Sequence, residues 1–122
     1  MKRLLLAIAF AAAALVGCTT APKTPAQAVY ATHGTYLAAL SVAVKYRQLP
    51  DCGLEAAIKP FCSEKAVVAK VQAADDQAYA ALTAAQTVVR VQTAGTPVER
   101  ALQAATQAVG AFSKLVNDLG VK

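Results

Sequence analysis

Few side chains in this chain are of types that do chemistry. There are three cysteines, Cys18, Cys52 and Cys62, and a single histidine, His33. One adjacent acidic pair, Asp75–Asp76, and four tyrosines, Tyr30, Tyr36, Tyr46 and Tyr79, complete the set. Acid–base catalysis by two carboxylates needs them aimed at one substrate, but adjacent helical positions point about 100° apart. Asp75 and Asp76 therefore read as a solvated helix surface, with Asp75 at the edge of an apolar stripe. A structural zinc takes four closely spaced ligands; His33 is far from the cysteines and has no second histidine beside it, so no metal site is expected. No serine or cysteine has a base placed to activate it, and no glycine-rich phosphate loop is present. The expectation is no catalytic residue, no cofactor and no enzyme. His33 and the tyrosines read as packing residues at the boundary of a core, with the phenolic hydroxyls wet.

The amino-terminal residues do carry a processing chemistry. Lys2 and Arg3 precede Leu4–Val16, an uncharged run reading LLLAIAFAAAALV. Thirteen helical residues span about 20 Å, short of the ~30 Å hydrocarbon core. The charge and length are those of a secretory signal peptide. The run ends in Leu15-Val16-Gly17-Cys18, which resembles the lipobox of bacterial lipoproteins. That resemblance implies cleavage between Gly17 and Cys18, a diacylglyceryl group on the Cys18 thiol, and a fatty acyl chain such as palmitate on the new amino terminus. Several chains at about 0.8 kcal/mol per buried methylene anchor a protein stably. Thr19 stands where an aspartate would favour inner-membrane retention, which implies an outer-membrane lipoprotein facing the periplasm or the exterior. With Cys18 lipidated, Cys52 and Cys62 become an even pair in an oxidising compartment, and a disulfide is expected there rather than two buried thiols.

Charge excludes some partners. Twelve basic and seven acidic residues leave +5, and without Lys2 and Arg3 ten against seven leave +3. The basic residues are scattered and form no run, so neither nucleic acid nor a polybasic membrane patch is indicated.

The elements that position these residues can be read from caps and periodicity. Residues 1–17 form the signal peptide, 18–23 a lipidated tether, and 24–122 one small domain. Thr24-Pro25-Ala26-Gln27 and Thr96-Pro97-Val98-Glu99 both have the grammar of a capping box with proline at the first helical position. A first helix is predicted from Pro25 to Gln48, with Tyr30, His33, Leu37, Leu40 and Val44 on its core face and Gly34 admitting a close neighbour. A second runs from about Ser63 or Glu64 to Gln92, with Val67, Val71, Ala74, Ala78, Leu82, Ala85 and Val89 facing inward; Gly95 is its left-handed stop. A third carries a seven-residue seam, Val98, Leu102, Ala105, Val109, Phe112, Val116 and Leu119, closed by Gly120. Between the first two lies Pro50–Cys62, with Leu54, Ile58 and Phe61 apolar enough to cover the bundle's end, or to form a binding surface. The fold class is all-α, an antiparallel up-down-up three-helix bundle whose first loop is braced by the disulfide.

This pattern points to a lipid-anchored, non-enzymatic helical module of the cell envelope, acting through protein partners as a binding, assembly or exclusion factor. The alternative is a carrier for a small apolar ligand or lipid in a cavity between splayed helices. Self-association through the third helix's seam is a further expectation.

Overall fold

The computed structural model describes residues 21–22, 24–53 and 62–120. The expected signal peptide, Gly17, Cys18 and most of the expected tether lie outside the described residues, as do Leu54, Ile58 and Phe61. Three helices appear in order: α1, Pro25–Arg47; α2, Lys65–Val91; and α3, Thr96–Asn117. They form the expected all-α bundle, up-down-up, with the disulfide in the first connection.

Local chemistry sets the start of α1. Thr24 is extended and its Oγ1 accepts the Gln27 N–H at 3.2 Å, with Pro25 at the first helical position. Lys45 and Arg47 occupy the last turn, where the helix dipole favours cations. The second capping box is not built. Gly95, not Thr96, caps α3, and no side chain closes its first turn. Gly95 adopts φ 109° and ψ 173°, a region open essentially to glycine alone. It turns the chain into α3; α2 ends earlier, at Val91, followed by extended Gln92. Gly120, at φ 68°, is left-handed beyond the end of α3, the position glycine favours.

Helices α2 and α3 share the most extensive contact, and α1 and α2 the least. The core follows the expected stripes on α2 and α3. Val71, Ala78, Leu82 and Ala85 are buried from α2, and Val98, Ala105, Val109, Phe112 and Val116 from α3. Val67, Ala74, Val89, Leu102 and Leu119 pack partly buried around them. The third helix's seam thus packs inside the bundle.

On α1 the buried face is offset from the predicted one, of which Leu40 still packs partly buried against the core. The buried residues are Val29, Tyr36, Ala39, Ala43 and Tyr46. Tyr30, Leu37 and Val44 are 82%, 49% and 45% exposed. The helix is turned by about one residue, roughly 100°, from the expected orientation. The buried face mixes sizes: Ala39 and Ala43 leave room for the neighbouring helices, and Tyr36 and Tyr46 fill the space between them while their hydroxyls reach Asp75 and the Glu64 amide, so shape and polar fit are met together. Gly34 does not serve close approach either; it is exposed, and a methyl group there would meet nothing within 4 Å.

Candidate functional site

Two groups of polar and aromatic side chains are brought together by the bundle. The first is at its middle. Tyr36 projects from α1 with its ring against Phe112 of α3, centroids 5.9 Å apart. His33 and Tyr79 flank the same ring at 6.3 and 6.4 Å. The Tyr36 hydroxyl donates to Asp75 Oδ1 of α2 at 2.9 Å. Burial, then the hydrogen bond and the negative charge of Asp75, push the Tyr36 hydroxyl up to about 12 from its ordinary 10.0. At neutral pH it is therefore a fixed donor, and its role is to hold Asp75 against α1. The acidic pair is split: Asp75 is half-buried on Tyr36, while Asp76 is exposed beside it. The Asp75 carboxylate is thus committed to the Tyr36 hydroxyl.

The second group ties the base of the α1–α2 connection. Cys52 and Cys62 form a disulfide with Cα atoms 4.9 Å apart, closing a separation of 10 residues. Next to it, the Cys52 N–H donates to the Ser63 carbonyl at 3.0 Å, and the Ser63 N–H to the Pro50 carbonyl at 2.8 Å. Ser63, 3% exposed, also donates its hydroxyl to the Leu49 carbonyl at 3.0 Å. The buried Tyr46 hydroxyl accepts the Glu64 N–H at 3.0 Å, so a side chain of α1 satisfies a donor at the start of α2. An exposed ion pair, Lys65 Nζ to Asp51 Oδ2 at 3.6 Å, spans the outside. The bridge and this lattice of bonds hold the ends of residues 53–62 together, whatever that segment presents.

Between α1 and α2 runs an open groove of about 130 Å³, bordered by Leu40, Val44, Arg47, Val68, Gln72 and Asp76. It is well below the ~300–1,000 Å³ of pockets that bury a ligand. Among the described residues no cluster of three histidine, cysteine or acidic side chains could hold a metal, and no helix is long and apolar enough to cross a membrane.

Sequence reading placed the disulfide but missed the Tyr36–Asp75 bond. The two residues are 39 positions apart, and only the docking of α1 on α2 joins them. A signal for Tyr36 was nonetheless present. Val29, Tyr36 and Ala43 recur every seven residues, as do Ala39 and Tyr46, in parallel with the stripe of Tyr30, Leu37 and Val44. Compared with models of protein families, with curated proteins and with solved structures, the chain matches none.

Proposed function

We propose that this protein is a lipid-anchored, non-enzymatic helical module of the bacterial envelope that acts by binding other proteins. In this reading Cys18 becomes the acylated amino terminus after cleavage at Gly17. A short tether, residues 18–23, then leads to the bundle at the outer membrane. The Cys52–Cys62 bridge supports the reading. Structural disulfides belong to oxidising compartments, and this one uses both cysteines other than the one in Leu-Val-Gly-Cys. The site's chemistry agrees: its polar groups bond to one another, and what remains for a partner is surface.

Mass spectrometry of the protein purified from bacterial membranes tests the proposal. The expected product begins at Cys18 and carries diacylglyceryl and fatty acyl groups. Cys18→Ala should leave an uncleaved precursor. An unmodified Cys18 thiol in the native protein would overturn the envelope address. Turnover of any substrate that is lost in His33→Ala or Asp75→Asn would overturn the non-enzymatic reading.

A further inference from the structure

Helix α1 is apolar on two faces, and the bundle uses one of them. The unused face carries Tyr30, Leu37 and Val44, 82%, 49% and 45% exposed. Between them lie exposed Gly34 and Ser41. The order Tyr30, Gly34, Leu37, Ser41, Val44 steps by four and three, the spacing of a helix-packing seam. Tyr79 of α2, 61% exposed and 6.4 Å from the Tyr36 ring, widens the patch on one side. Residues 24–44 contain no Asp, Glu, Lys or Arg, whereas a helix face that meets water carries charged and polar side chains. Contiguous exposed apolar surface of this kind marks an interaction site.

We propose that this face takes a second copy of the same chain, α1 against α1 and antiparallel, about a twofold axis between Leu37 and Ala38. Three observations select this occupant. First, the face is self-complementary under that operation. Leu37 meets Ala38 and Val44 meets Ala31, a large side chain against a small one, and Gly34 meets Ser41, so the two backbones can approach along the middle of the face, with Tyr30 and Lys45 paired at its ends. Second, the two ends of the face complement each other. Lys45 stands exposed at one end and the Tyr30 ring, 82% exposed, at the other. An antiparallel pair in this register brings each Lys45 to the partner's Tyr30 ring, a cation–π contact. A parallel pair would align cation with cation. Third, a lipid surface is a poorer fit. Helices that lie on membranes flank their apolar strip with lysine and arginine along its length, and this face has none before Lys45. The interface is isologous, the form that closes as a dimer rather than a fibre. It does not depend on lipidation of Cys18.

The test uses the full chain purified in mild detergent, followed by sedimentation equilibrium and by crosslinking in cells. The expected mass is twice that of the single chain. Leu37→Glu and Ser41→Lys alter exposed positions, so helix content should be retained while each weakens the dimer at least tenfold. Ala38→Cys should give a thiol-reducible dimer in intact cells, and Gln107→Cys, on the exposed side of α3, should not. A single-chain mass together with no Ala38→Cys dimer overturns the proposal. So does a dimer indifferent to both Leu37→Glu and Ser41→Lys. Binding of the monomer to phosphatidylethanolamine–phosphatidylglycerol vesicles, abolished by Leu37→Glu, would assign the face to lipid and equally overturn it.

Discussion

Tyr36 is the residue on which the three helices meet. Its ring packs on Phe112, and its hydroxyl reaches Asp75. Because the folded state holds this phenol up to about 12, against 10.0 when free, the neutral form is the one that folding favours. The stabilisation is complete below pH 10 and is lost as pH rises from 10 through 12. Denaturant midpoints across pH 8–12 should therefore fall in that window in the native protein, and the Tyr36-dependent part of the fall should vanish in Tyr36→Phe. Tyr36→Phe should itself cost about 0.5–1.5 kcal/mol at neutral pH, the net value of one hydrogen bond. Phe112 is fully buried and sits under that ring. Phe112→Ala should cost about 3–5 kcal/mol in urea unfolding, a large part of the ~5–15 kcal/mol that domains possess.

The helices differ in how strongly their own sequences define them. Two Thr-Pro starts look alike in sequence, but only Thr24 accepts a backbone N–H. Thr24→Ala should lower stability by about 1 kcal/mol, and Thr96→Ala should change it by less than about 0.5 kcal/mol; paired thermal melts distinguish them. Within α3, Gly110 is exposed and open space surrounds it. Gly110→Ala removes backbone freedom from the unfolded chain without a clash, so it should stabilise by about 0.5–1 kcal/mol. The orientation of α1 teaches a further point. Residues 30, 33, 37, 40 and 44 and residues 29, 36, 39, 43 and 46 both recur at helical spacing. Leucine in the first set made it look like the core, yet the alanines of the second set are what neighbouring helices can approach.

At the scale of the whole molecule, the bundle's core is thin in side-chain volume. Ala78, Ala85 and Ala105 are at most 1% exposed, and a methyl group buries little area. The covalent bridge therefore matters more than it would in a larger core. On the chain-entropy model, closing a loop of this length stabilises by about 3 kcal/mol. Reduction of Cys52–Cys62, or the paired change to alanine, should lower the unfolding free energy by about that amount in chemical denaturation. The bundle should remain helical by circular dichroism, because all three helices are packed independently of the bridge. The bonds from Ser63 and Tyr46 across the same connection keep α1 and α2 in register beside the bridge.

What the sequence determined by itself was local or countable. The number of helices, their approximate ends, the turn between α2 and α3, the inward stripes of those two helices and the pairing of Cys52 with Cys62 all follow from caps, periodicity and cysteine arithmetic. What the tertiary structure decided was rotational and long-range. It chose which of two stripes on α1 faces inward, placed the Tyr36 hydroxyl on Asp75 and the Tyr46 hydroxyl on the Glu64 amide, and gave Gly95 the task that Thr96 was expected to perform. The reason is physical. Periodicity is a property of one helix and is equally satisfied by either of two adjacent stripes, whereas burial is a property of pairs, settled only when the helices dock and large and small side chains fit each other and find hydrogen-bond partners.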